Sequence, residues 1–204
     1  MTRRTIAVVS AGLRQPSSTR LLADQLGAAA GDELRRRGLT VDIRPIELRE
    51  HAHDLTNALL TGFAPAGLRP AVDAVAGADG LVAVTPIFNT SYNGLFKSFF
   101  DVLERETLAD RPVLLAATGG TARHSLALEY AVRPLFTHLR AVTVPTAVFA
   151  APEDWAEGSA AGPLADRVRR AGRELAELVA SRAPAVAPDP FALTTDFERL
   201  LAGD

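Results

Sequence analysis

Three short stretches of this chain put hydroxyls, amides and glycines at spacings suited to gripping an anion and a flat heterocycle. The first is Ser10-Ala11-Gly12-Leu13-Arg14-Gln15-Pro16-Ser17-Ser18-Thr19-Arg20, which lies between an apolar run and a helical pattern. A helix N-terminus offers free backbone N–H groups and the positive end of a dipole, so it receives anions without needing a lysine. Ser10, Ser17, Ser18 and Thr19 add hydroxyl donors there. Each hydrogen bond to a charged group contributes about 1.5–3 kcal/mol, so three or four of them would anchor a phosphomonoester. Any one serine, Ser17 or Ser18 in particular, could equally serve as a helix cap. The second stretch is Pro86-Ile87-Phe88-Asn89-Thr90-Ser91-Tyr92-Asn93-Gly94. Phe88 and Tyr92 can cover a flat ring while Asn89 and backbone amides meet its polar edge. The alternative is that Phe88 plugs the core and Ser91 or Asn93 caps the next helix. The third stretch, Thr118-Gly119-Gly120-Thr121-Ala122-Arg123-His124, has paired glycines that let a backbone approach a ligand closely.

Several chemistries are excluded. The chain contains no cysteine, which removes disulfides, thiolate metal sites and a cysteine nucleophile. No Gly-x-Gly-x-x-Gly or Gly-x-x-x-x-Gly-Lys follows the first apolar run, which weakens a dinucleotide fingerprint and removes a Walker-type loop. A phosphoacceptor aspartate after the third strand is missing, because Thr85 stands there. His51 and His53 alternate in a loop without further ligands, so a surface pair is expected rather than a metal site. No metal and no catalytic side chain are expected. A net charge of -2 over 204 residues argues against binding nucleic acid. No apolar run reaches the roughly eighteen residues of a membrane span, and the N-terminal run is too short for a signal peptide. A cytoplasmic protein is expected.

These loops need elements to hold them. Thr5–Ser10, Gly80–Pro86 and Pro112–Ala117 are short continuous apolar runs, the pattern of strands buried on both faces. Val41–Leu48 and Val142–Ala150 complete five strands, the last interrupted by Pro145. Helical patterns cover Thr19–Arg37, Leu55–Leu60, Leu68–Ala76, Tyr92 or Asn93 through Leu103, Ala122–Leu139, Pro163–Ser181 and Asp189–Leu201. Strands alternating with helices imply an α/β fold, a parallel sheet with helices on both faces. Five strands favour the flavodoxin-like order 2-1-3-4-5, which brings the exits of strands one, three and four to the switch-point crevice. Residues 1–182 form the domain; 183–204 add a proline-rich spacer and a short helix to it. His138 and Trp155 are expected to be structural. Phe96, Phe99 and Phe100 are expected in the core or at an oligomer seam.

With its loops so placed, the chain resembles the NADPH-dependent FMN reductase family, and the similarity runs over roughly residues 5 to 150. The family pattern Ser-Gly-Ser-Leu-Arg-x-x-Ser-x-Asn/Thr is matched by Ser10, Leu13, Arg14, Ser17 and Thr19, with departures at Ala11 and Gly12. Pro-x-Tyr-Asn-x-Ser-x-x-Gly-x-Leu-Lys is matched by Pro86, Asn89, Ser91, Gly94 and Lys97, with Phe88 replacing the tyrosine. Ala117-Thr118-Gly119-Gly120, His124 and Arg133-Pro134-Leu135 resemble the sulfur-assimilation members. The resemblance implies that Ser10, Arg14, Ser17, Ser18 and Thr19 hold the FMN phosphate. Pro86, Ile87, Phe88, Asn89 and Ser91 would border the ribityl chain and ring, and Thr118, Gly119, Gly120 and Thr121 would meet the pyrimidine edge. It implies FMN and NADPH or NADH as cofactors, with hydride passing to flavin N5. A homodimer or homotetramer is implied, with contacts through Leu95–Phe100 and the helix after Thr121. A flavin-dependent monooxygenase would receive the reduced FMN. A quinone, azo or chromate reductase with fixed FMN is the alternative within the same motifs. An electron carrier without NAD(P)H activity is opposed by the weak net charge.

Overall fold

The computed structural model describes residues 2–155 and 162–185. In chain order the strands are β1 (Arg3–Ser10), β2 (Thr40–Glu47), β3 (Gly80–Phe88), β4 (Ser91–Tyr92), β5 (Pro112–Thr118), β6 (Val142–Thr143) and β7 (Val148–Ala150). The helices are α1 (Ser18–Arg36), α2 (Ala52–Thr61), α3 (Arg69–Ala76), α4 (Gly94–Asp101), α5 (Arg133–His138) and α6 (Pro163–Ala180). The sheet runs β2-β1-β3-β5-β6, all parallel, with β7 also paired to β5. Two short strands therefore share the fifth position, and the order along the chain is the 2-1-3-4-5 expected from the alternation. The single strand expected over Val142–Ala150 divides around Pro145, which has no N–H for a ladder.

Alternate residues of each strand feed two separate cores, as a period of two requires. Ile6, Val8, Val82, Val84, Leu114 and Ala116 face α1 and α6. Ala7, Val9, Leu81, Ala83, Leu115 and Ala117 face the opposite layer, where Phe96, Phe99, Phe100 and Phe136 are packed. On the first face α1 and α6 nearly touch. A Cβ built on Gly172 would lie 2.8 Å from the Ala29 Cβ and 2.9 Å from the Ala30 nitrogen, so only glycine permits this approach.

Two further departures reshape the chain near the crevice. β4 folds back antiparallel on β3, pairing Ile87 with Tyr92 and Phe88 with Ser91. Its turn puts Asn89 at φ 48° and Thr90 at φ 71°, the left-handed pair that a two-residue hairpin needs. The long helix expected over Ala122–Leu139 is broken into a 3-10 turn (Ala122–His124), a π-helical turn (Leu128–Val132) and α5. Pro134 has no N–H to donate to the Tyr130 carbonyl, as a continuous α register would demand, and the chain passes it with a wider turn. The helix expected over Leu55–Leu60 is longer, as α2 shows. The helix expected over Asp189–Leu201, and most of the spacer, lie outside the described residues.

At the N-terminal ends of the strands a buried ion pair ties the chain after α6 to the sheet. Arg4 Nη1 donates to Asp79 Oδ1 at 2.9 Å, with both side chains less than a tenth exposed. Asp79 also accepts from the backbone N–H of Thr5 at 2.7 Å and of Ala185 at 2.8 Å. Arg4 Nη2 donates to the Arg182 carbonyl at 2.5 Å.

Candidate active site

The exits of β1, β3 and β5 lie side by side, because β3 pairs with both neighbours: Ser10 is in register with Val84 and Pro86 with Thr118. The first loop is held there from both sides. The Ala11 N–H donates to the Val84 carbonyl at 3.0 Å, and Asn93 Nδ2 donates to the Ala11 carbonyl at 2.8 Å. Asn93 also caps α4, its Oδ1 accepting from the Phe96 N–H at 2.9 Å. Thr19 Oγ1 and Thr118 Oγ1 share a hydrogen bond of 2.7 Å between the first and third loops. The Gly119 N–H donates to the Ala150 carbonyl at 3.1 Å, which seats the third loop on β7.

Held in this way, the first loop presents uncommitted donors. Among the described residues, the backbone N–H groups of Gly12, Leu13, Arg14, Gln15, Ser17, Ser18 and Thr19 make no hydrogen bond. The loop curls tightly around Gly12, where an added Cβ would lie 2.0 Å from Ser17 Oγ and 3.1 Å from the Thr19 Cβ. Ser17 is the N-cap of α1, its Oγ accepting from the Arg20 N–H at 3.2 Å. As an acceptor in the cap it keeps its own proton available to donate.

The expected site residues separate into a buried floor and an exposed rim. Ser10, Thr19, Pro86, Ile87 and Thr118 are buried. Arg14, Ser18, Phe88, Asn89 and Gly120 are exposed, and Ser17, Ser91, Gly119 and Thr121 are half-buried. Phe88 is 47% exposed at the carboxyl end of β3, so it does not plug the core. Tyr92 does not join it; it packs on Phe96, with ring centroids 6.0 Å apart, and faces α5. The arginines also divide. Arg20 is paired with Asp24 at 2.7 Å and with Glu47, and the hydrogen bond to Asp24 holds its guanidinium above its ordinary pKa despite burial. Arg14 and Arg123 have no carboxylate partner among the described residues.

The sequence pointed at Asn93 only as a helix cap. Its second bond, to a loop 82 residues away in the chain, has no local sequence signal. A separate cleft of 590 Å³ lies between α4 and α5, lined by Tyr92, Phe100, Tyr130, Pro134 and Leu139 among others. Its Lys97 is held by Asp101 at 2.6 Å. No cluster of three or more metal-ligating side chains occurs among the described residues.

A doubly wound parallel sheet with an amide- and hydroxyl-rich loop at its switch point defines an α/β protein of flavodoxin-like fold. Residues 4–156 match the NADPH-dependent FMN reductase family, and the chain belongs to that family of NAD(P)H:FMN oxidoreductases. It is 39% identical over 178 residues to an FMN reductase (NADPH) from Pseudomonas aeruginosa, covering 87% of this chain and 93% of the relative. It is 38% identical to the NADH-dependent FMN reductase SfnE of Pseudomonas putida, covering 85% and 91%. Among solved structures, an oxidoreductase from Corynebacterium diphtheriae shares 44% identity with a TM-score of 0.84, covering 90% of this chain and all of that one. An NADH:FMN oxidoreductase in its apo form shares 29% identity with a TM-score of 0.72, covering 92% and 97%.

Proposed function

We propose that the enzyme binds FMN in this cradle as an exchangeable substrate, reduces it with NAD(P)H, and passes the reduced flavin to a flavin-dependent monooxygenase. The observation that carries the placement is the set of uncommitted N–H groups around Gly12, a cradle that a side chain at that position would fill. This donor set fits a phosphomonoester dianion. The backbone of Leu13 to Thr19, with the Ser17 and Ser18 hydroxyls, holds the phosphate, and the Arg14 guanidinium adds charge. Pro86, Ile87, Phe88, Asn89 and Ser91 border the ring and ribityl chain, and Gly119, Gly120 and Thr121 lie along the pyrimidine edge.

FMN, when bound, supplies the hydride-accepting chemistry. The protein's part is to orient the two rings and exclude water at the contact. Phe88 serves as the apolar wall of that contact, and no side chain is required to move a proton in the hydride step. Exposure of Ser18, Asn89 and Gly120 along the rim supports exchange of the flavin. No helix among the described residues is long and apolar enough to cross a membrane, and we place the reaction in the cytoplasm.

The reductase works as a homodimer or homotetramer. α4 is a poor seam, because Phe96, Phe99 and Phe100 are consumed by the chain's own core. Leu126, 60% exposed, and Tyr130, 80% exposed and lining the α4–α5 cleft, support contact through the segment after Thr121. Light scattering at micromolar protein should give a mass of two or four chains; a monomer overturns this part.

Anaerobic NADPH and NADH oxidation at 340 nm, with apoprotein and increasing FMN, tests the proposal. Turnover should rise and saturate with FMN and yield reduced flavin in stoichiometric amount. Rates independent of added FMN, with flavin retained through dialysis, would instead identify a fixed prosthetic group and a quinone, azo or chromate acceptor.

A further inference from the structure

The Thr19 and Thr118 hydroxyls pair with each other between the first and third loops. Both residues are almost wholly buried, 3% and 5% exposed, and their Oγ1 atoms are 2.7 Å apart. Thr19 lies in the first turn of α1, its own N–H among the uncommitted ones, and Thr118 ends β5. The two are 99 residues apart in the chain, so the bond joins the loop read as the phosphate cradle to the loop read as the ring edge. No other hydrogen bond of either hydroxyl occurs among the described residues. One hydroxyl donates to the other, and the accepting one keeps its own proton. Thr19 also sits against Gly12, within 3.1 Å of where a Cβ would be, so its placement bears directly on the curl of the cradle.

We infer that Thr118 is a positioning residue for the flavin phosphate, acting through Thr19. It does not touch the flavin with its hydroxyl. It fixes the first turn of α1 against β5, and with it the N–H groups that converge on the phosphate. The inference rests on the proposed placement of FMN and assigns to Thr118 a role different from contact with the pyrimidine edge.

Flavin fluorescence quenching tests it by comparing FMN with riboflavin, which lacks the phosphate. Thr118→Val keeps the shape and removes the hydroxyl. It should weaken FMN about tenfold and leave riboflavin within about twofold. Thr118→Ser restores the hydroxyl and should return FMN affinity to within about twofold of wild type. Thr19→Val breaks the same bond from its other end, so it should reproduce the FMN loss, and the double valine variant should be no weaker than the worse single one. Should Thr118→Val fail to fold, Thr19→Val and Thr118→Ser carry the test. Unchanged FMN affinity in the valine variants, equal losses for FMN and riboflavin, or losses that multiply in the double variant would each overturn the inference. A wild-type protein that binds neither flavin would overturn the placement of FMN itself, and this inference with it.

Discussion

Asp79 accepts three hydrogen bonds at a buried position, from the Arg4 guanidinium and from the N–H groups of Thr5 and Ala185. Removing one partner of a buried pair strands the other, which costs about 3–5 kcal/mol. Asp79→Asn should lower the urea midpoint accordingly with little change in the slope. Asp79 lies at the N-terminal ends of the strands, across the sheet from the crevice. The folded variant should therefore bind FMN within about twofold of wild type, by fluorescence titration. A large loss of affinity in folded protein would place coupling where the structure shows none. At the same scale, the sequence left Ser17 as either a phosphate hydroxyl or a helix cap. The geometry shows the cap, and a hydroxyl that accepts in a cap is still free to donate. Phe88 was equally open between core and crevice, and its exposure rules out the core.

Between elements, the contact of α1 with α6 depends on one missing side chain. Gly172→Ala would drive a Cβ into Ala29 and Ala30 at distances that backbone cannot yield easily. Overpacking of this kind costs about 1–3 kcal/mol. The variant should melt earlier and, since α1 carries the cradle at its N-terminus, lose some FMN affinity as well. A variant as stable as wild type would show that the two helices separate freely. The π-helical turn is braced differently. Arg133 donates to Glu129 through Nε at 2.6 Å and Nη2 at 3.0 Å, and through Nη1 to Thr143 Oγ1 at 2.7 Å. The hydrogen bond from Arg133 holds the Glu129 carboxyl below its ordinary pKa, against the opposing effect of burial. A lowered folded pKa means stability that is present above the unfolded carboxylate value and lost as pH falls through the folded one. The pair is half open to water, so its contribution is small, about 0.5 kcal/mol. Glu129→Gln should therefore be slightly less stable than wild type near neutrality, and the two melting curves should converge below about pH 4. A difference that persists in acid would show that the glutamate acts by packing rather than by charge.

For the whole molecule, a ligand that binds only the folded state stabilises it by mass action. FMN at 100 times its dissociation constant should add about 2.7 kcal/mol. For a chain of this size that raises the melting midpoint by about 5–10 °C. Riboflavin at the same multiple of its own constant should give the same shift, whereas at equal concentration it should give less, because it lacks the phosphate for which the cradle is proposed. No shift with FMN, measured by scanning calorimetry, would count against the cradle as the flavin site.

The layer architecture was legible without coordinates because burial on both faces writes continuous apolar runs such as Ile6–Val9 and Leu81–Val84 directly into the sequence. Their alternation with helices leaves few topologies, and the switch point then selects which loops matter. That reasoning reached the first, second and third loops by position, and the family motifs added residue roles. It saw that Pro145 interrupts the last strand, but it did not reach the break before Pro134. Whether a proline ends, kinks or is bypassed depends on its tertiary surroundings, and here Arg133 reaches across to the carbonyls of Val144 and Pro145. Nor could it show Tyr92 leaving the crevice, Arg20 neutralised by Asp24 and Glu47, or Asn93 reaching Ala11. These are bonds between residues far apart in the chain, and local spacing carries no record of them. Sequence alone settled the layers and the order of the main parallel strands, since those follow from local periodicity and burial. Only the tertiary structure decided which hydroxyls, amides and guanidinium groups remain uncommitted, because that depends on every neighbour the fold brings within hydrogen-bonding distance.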